Sequence, residues 1–167
     1  MATHSGSPTK SFWPTLLLAG LLAGSIDLIF AIVYYGKSGA TAQGVMQSIA
    51  GGLMGRDAAR QGGVQTAMLG VALHYLIAFI WAAIYFAASR RLPVLIRYAI
   101  PCGLVFGALV YFFMNGVVLP LSALHAKPWP IRLNWWVIAV HVFGVGLPIA
   151  LIARGRGRSL STLSGSS

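Results

Sequence analysis

Four long apolar runs set the pattern of this chain, and polar positions inside them are few. The first, Leu16 to Tyr35, reads LLLAGLLAGSIDLIFAIVYY and is led in by Phe12 and Trp13, with a single acid, Asp27, inside it. The second, Val64 to Ala88, is broken only by Gln65, Thr66 and His74, and Ser89-Arg90-Arg91-Leu92-Pro93 follows it. Proline there prevents continuation of a helix. The third runs from Tyr98 to Leu119 and meets Pro120. The fourth runs from Trp135 to Ala153 and is closed by the basic stretch Arg154 to Arg158. Each run is about the 20 residues that a membrane-crossing helix needs. The pattern predicts an all-α, integral membrane four-helix bundle with spans at about 13–35, 64–88, 98–119 and 135–153.

The segments between the runs differ in kind. Residues 1–11 are small and polar and are expected to be disordered and cytoplasmic, and 154–167 to form a basic, disordered tail. Lys10 ahead of an apolar run suggests a signal peptide, but the run continues to Tyr35, beyond a usual signal core, so a retained first helix is expected. Residues 36–63 make a long connector for a small bundle. Within it Val45, Ile49 and Leu53 recur every four residues, with Met46, Ala50 and Met54 one step behind. A short amphipathic helix is predicted there, lying at the interface or over the bundle mouth, weakened by Gly51-Gly52. Arg56, Asp57 and Arg60 follow as a solvated charged step. The turn from Leu121 to Leu133 holds Pro128 and Pro130 around Trp129, with His125 beside Lys127 as an interfacial residue.

Composition agrees with the pattern. Apolar residues make up 57% of the chain and charged residues 8%, against about 25% charged in ordinary soluble domains. The net charge of +10 first suggests a nucleic-acid partner. Yet the basic residues stand at the ends of apolar runs, as suits anionic lipid headgroups and orientation in a bilayer; no nucleic-acid partner is expected. With four spans, Lys10, Arg90, Arg91, Arg97, Arg154, Arg156 and Arg158 share one side. Lys37, Arg56, Arg60, Lys127 and Arg132 take the other. The first set is larger and tighter against the spans, which places both termini in the cytoplasm. Trp13 and Tyr98 mark one interface; Tyr34, Tyr35, Trp129, Trp135 and Trp136 mark the other. Cys102 is the only cysteine, so an intrachain disulfide is impossible.

Small residues set the packing faces. The first span carries Gly20-x-x-x-Gly24 with Ala23, leading to Asp27, Ala31 and Tyr34. The third carries Gly103-x-x-x-Gly107 with Ala108, leading to Tyr111 and Asn115. Such spacing lets helix backbones approach closely in lipid. The second and fourth spans each hold a histidine, His74 and His141, in similar surroundings. The chain therefore reads as one helical hairpin used twice. Four short helices enclose little volume, so a homo-oligomer is expected.

Ionisable groups inside a membrane are costly enough to suggest function. At the rise of an α-helix, Asp27 lies roughly 12 Å below the non-cytoplasmic end of its span, His74 roughly 13 Å, His141 roughly 10 Å and Asn115 roughly 6 Å. The candidate site is thus a polar intramembrane cluster of Asp27, His74, Asn115 and His141, one group from each span. It could bind or pass a proton or small solute, or it could merely fix helix packing through hydrogen bonds. No cofactor is expected; a bis-histidine haem or a metal on His74 and His141 is the remaining alternative. Phosphate loops, nucleophile elbows and metalloprotease helices have no match. An enzyme is therefore not the expectation.

His74 heading an apolar helix, the turn Arg91-Leu92-Pro93, Gly103-x-x-x-Gly107, the Pro128-Trp129 turn and His141 together resemble the YagU-like group of uncharacterised bacterial inner-membrane proteins. The likeness covers roughly residues 64 to 153. It implies a bacterial inner-membrane location and a multi-pass helical fold, and it brings neither an activity nor catalytic residues.

Overall fold

The computed structural model describes residues 12–131 and 133–164, with 156–164 as backbone only. The N-terminus expected to be disordered, 1–11, lies outside these, as do residues 165–167 of the tail. Helix α1 spans Phe12–Gly36, α2 Ala42–Met54, α3 Arg56–Gln61 and α4 Gly63–Arg91. A single turn, α5, covers Val94–Arg97. Helix α6 covers Ala99–Leu121 and α7 Trp135–Gly155. Helices α1, α4, α6 and α7 are long and apolar enough to cross a membrane. There is no strand among the described residues. The chain is a multi-pass, all-α membrane protein.

Two boundaries depart from expectation. Pro120 does not stop the third span at Leu119. It sits inside a last helical turn that ends at Leu121, and the chain leaves the helix at Ser122 (φ −76°, ψ 168°). Proline is tolerated there because its missing N–H falls in the first turn of a short helical segment after a change of register. The last helix runs on to Ser164 where a disordered tail from 154 is expected. Gly155 and Gly157 are only weak breakers and no proline follows.

The two halves of the chain pair their helices in the same way. In the first hairpin, Gly20 and Gly24 of α1 receive the rings of Phe79 and Tyr75 from α4, so a β-carbon at Gly20 would run into Phe79. In the second, Gly103 and Gly107 of α6 lie directly on the backbone of α7. A β-carbon at Gly107 would strike the His141 carbonyl, and one at Gly146 the Gly103 carbonyl. In both, the GxxxG face of the leading helix turns to its hairpin partner, and the histidine of the partner lies level with the second glycine. The hairpins are joined where Gly144 of α7 meets Ile26 of α1. Between α4 and α6 the contact is aromatic: Trp81 sits edge-on to Phe106 and Phe113, and Tyr85 to Phe106.

The core occupies the half of the bundle that holds the described chain ends. Leu16, Ala19, Ala82, Tyr85, Phe86, Ala99, Ile149, Ala150 and Ala153 pack there. The Tyr85 hydroxyl donates to the Leu95 carbonyl (3.0 Å), which satisfies the one polar atom this large side chain brings in. The opposite half is looser and holds a cavity.

Helix α2 does not stand off from the bundle. Thr41 caps its first turn by accepting from Gly44 N (3.0 Å). The helix then lies across the first turns of α4, so close at Gly70 that a β-carbon there would meet the Met46 carbonyl. Gln47, one of the polar positions of this helix, is buried (7% exposed). Its amide donates to Gly63 O (2.9 Å), and Thr66 Oγ1 beside it donates to Ala59 O (2.6 Å). The helix runs unbroken through Gly51-Gly52. This pair makes room for the turn after α6, where Ala123 N donates to Gly52 O (2.9 Å) and Leu124 packs against Gly51.

Candidate functional site

A cavity of about 570 Å³ fills the α2 half of the bundle, within the usual size of small-molecule sites. Asp27 of α1, His74 of α4, Asn115 of α6 and His141 of α7 all line it. Between them the wall is mostly apolar, with Leu28, Ile77, Val110 and Val145, and with the rings of Phe30, Tyr35 and Trp81. The side of α2 bearing Val45, Ser48, Ile49 and Leu53 closes one end, together with Ser122 and Leu124 of the turn after α6. Towards the other end lies the packed core around Tyr85 and Ile149.

Asp27 and His141 come closest to each other. His141 Nδ1 lies 3.7 Å from Asp27 Oδ1, and the two side chains are 15% and 23% exposed, respectively. That separation is a close approach, longer than a hydrogen bond. The same Nδ1 lies 2.8 Å from the Val137 carbonyl one turn back. A carbonyl oxygen only accepts, so Nδ1 carries a proton, and in the neutral ring Nε2 is a lone pair. Tyr111 rests edge-on against this imidazole, with ring centroids 5.6 Å apart.

His74 is held differently. Its Nε2 lies 2.8 Å from the Gly24 carbonyl across the α1–α4 interface, so Nε2 carries the proton and Nδ1 the lone pair. Gly24 has no side chain to shield its carbonyl, which is why α4 can reach it. His74 thus contributes an interhelical hydrogen bond as well as a cavity wall. Asn115 Nδ2 donates to the Tyr111 carbonyl one turn back (2.9 Å).

Asn115 and His141 share a local feature of the backbone. Residues Met114–Val118 of α6 and Val140–Gly146 of α7 are wound as π-helix. Wide turns of this kind are rare and gather at functional sites. Here each coincides with the polar residue that its helix gives to the cavity.

The structure also places polar groups that the sequence pattern does not single out. Asn134 caps α7 by accepting from Val137 N (3.3 Å), donates its amide to Tyr34 Oη (2.9 Å), and gives its own N–H to Tyr111 Oη (3.3 Å). One residue thereby ties α1, α6 and α7 together beside the cavity. Ser25 and Tyr75 join α1 to α4 through their hydroxyls (2.8 Å). Asp57, the other acid of the chain, lies in the first turn of α3, exposed and outside the cavity wall.

No family model matches this chain, and neither a curated protein nor a solved structure matches it.

Proposed function

We propose that this chain binds a small solute or a proton inside the membrane, and can pass it on, through the cavity lined by Asp27, His74, Asn115 and His141. The observation that carries this reading is convergence: each spanning helix gives one polar group to a single cavity. Placing four such groups in lipid is expensive, and packing alone does not require them to face one space. The packed core lies between the cavity and the described chain ends. Passage would require the helices around Tyr85 and Ile149 to part. A bacterial inner-membrane location, with both termini cytoplasmic and the cavity on the far side, is part of the proposal. It rests on the placement of Lys and Arg and on the YagU-like resemblance.

A second reading, a structural or accessory subunit, is favoured by His74 in particular, whose Nε2–H joins α4 to the α1 backbone. A bis-histidine haem is poorly supported, because His74 Nε2, the usual ligating atom, is spent on the Gly24 carbonyl.

Reconstitution into liposomes with a pH-sensitive dye in the lumen separates the first two. Under an imposed pH gradient the wild-type protein is expected to speed dye response over empty liposomes, and Asp27→Asn to abolish the increase. Equal rates for the two proteins would remove Asp27 from any proton path.

A further inference from the structure

The polar side chains around the cavity spend their donors on nearby carbonyls. His74 Nε2–H goes to Gly24 O, His141 Nδ1–H to Val137 O, and Asn115 Nδ2 to Tyr111 O. The two hydroxyls at the α2 end do the same. Ser48 Oγ donates to Val45 O (2.6 Å) and Ser122 Oγ to Leu119 O (2.7 Å). Each of these side chains spends a donor on a helix carbonyl. What they keep, with both imidazoles neutral, is acceptor capacity: the lone pairs at His74 Nδ1 and His141 Nε2, the Asn115 carbonyl oxygen, the Ser48 hydroxyl oxygen, and what Ser122 Oγ retains after accepting from Leu124 N (3.3 Å). The Asp27 carboxylate adds only acceptors when ionised. Donors left on the wall are neutral: the second Asn115 amide hydrogen, the Tyr35 hydroxyl and the Trp81 indole N–H. Among the described residues, no lysine or arginine lines the cavity.

We propose that the ligand of this cavity is a small organic ammonium, its N–H donors facing Asp27 and the acceptors around it and its apolar body against Ile77, Val110 and Val145. The proposal rests on the solute-binding reading above and names its substrate class. An anion would meet the Asp27 carboxylate with no lysine or arginine among the described lining residues to offset it, at a cost that low-dielectric surroundings increase. A neutral apolar molecule would leave buried acceptors without partners. An ammonium supplies several donors and the compensating charge, and the rings of Phe30, Tyr35 and Trp81 favour a cation at their faces.

The test is calorimetric titration of the full-length protein in lipid nanodiscs with three probes of matched shape, phenethylammonium, 2-phenylethanol and phenylacetate. Empty nanodiscs are subtracted to remove partition into lipid. Phenethylammonium is expected to bind saturably at one site, at least about tenfold tighter than either other probe. Asp27→Asn should weaken it by roughly thirtyfold or more, as for loss of one partner of a buried charge pair. The charge series in the wild-type protein decides the matter even if the variant folds poorly. Equal or tighter binding of the alcohol or the carboxylate would overturn the ammonium class while leaving a solute-binding cavity in place. Absence of binding by all three probes would also overturn it. In that case the underlying reading falls too if Asp27→Asn leaves proton flux in liposomes unchanged.

Discussion

Asp27 Oδ1 stands 3.7 Å from His141 Nδ1, while the proton of that nitrogen points to the Val137 carbonyl at 2.8 Å. The carboxylate is therefore near the imidazole without being consumed by it. A purely structural acid would be expected to take the N–H as its own hydrogen bond, since an unsatisfied buried acceptor is costly. Asp27→Asn should accordingly cost little stability, within about 1 kcal/mol, because intramembrane polar contacts average only about 0.6 kcal/mol. Unfolding in a denaturing-detergent titration measures this. A loss of several kcal/mol would show that the acid holds the bundle together.

His74 presents the contrast. Its bond to Gly24 O crosses between helices at 2.8 Å, and it has no second backbone partner. His74→Leu should destabilise the α1–α4 hairpin by about 1 kcal/mol, and His74→Gln, which retains a donor, by less. The same unfolding titration distinguishes the two substitutions. Identical losses would indicate that ring packing against Tyr75 matters more than the hydrogen bond.

The glycines of the two hairpins resemble each other in sequence and differ in what they touch. At Gly107 an added β-carbon would meet the His141 carbonyl and would lie 2.6 Å from Val142 Cα, both backbone atoms that cannot turn aside. At Gly24 it would lie 3.0 Å from the Tyr75 ring and 3.2 Å from Ala78 Cβ. Gly107→Ala should therefore separate α6 from α7 and cost about 3 kcal/mol or more, by overpacking at a backbone contact. Gly24→Ala should cost about 1–2 kcal/mol, because the ring can shift. Because Gly107 packs on the π-wound turn that presents His141, its substitution should also weaken any ligand that depends on the cavity. Parallel unfolding and binding measurements on both variants check this.

The spans were legible because twenty-residue apolar runs admit few other outcomes in a protein with 8% charged residues. That Asp27, His74 and His141 share a depth, with Asn115 nearer the end of its span, followed from helical rise alone. Their pairing did not, because depth says nothing about rotation about each helix axis. The π-wound turns at Asn115 and His141 were hidden for a related reason. In a uniformly apolar run, nothing in the residue pattern distinguishes one winding from another. Gln47 was not legible as an anchor, because a polar residue on an amphipathic helix ordinarily faces water. It is buried here because Gly70 lets the α2 backbone settle onto α4 and puts Gly63 O within reach. Asn134 could not have been selected from sequence, since its partner Tyr34 lies 100 residues away.

Gln47 also determines how firmly α2 covers the cavity. Its amide donates to Gly63 O (2.9 Å) and lies 3.3 Å from Thr66 Oγ1. The α2 ends adjoin glycines at positive φ, Gly39 (88°) and Gly55 (85°), where the backbone can pivot at little steric cost. Gln47→Leu removes the polar anchor and leaves the Gly63 carbonyl without that donor, at a cost of about 1–3 kcal/mol. Because α2 is otherwise held by packing, as at the Met46–Gly70 and Gly51–Leu124 approaches, and by the Ala123–Gly52 hydrogen bond, the loss should appear as local opening before global unfolding. Hydrogen exchange should quicken across α2 while α6 and α7 keep their protection. Labelling of Ser48→Cys, in a Cys102→Ala background, should accelerate with it. Uniform loss of protection across all the spanning helices would instead make Gln47 part of the global fold, and α2 an integral wall of the cavity.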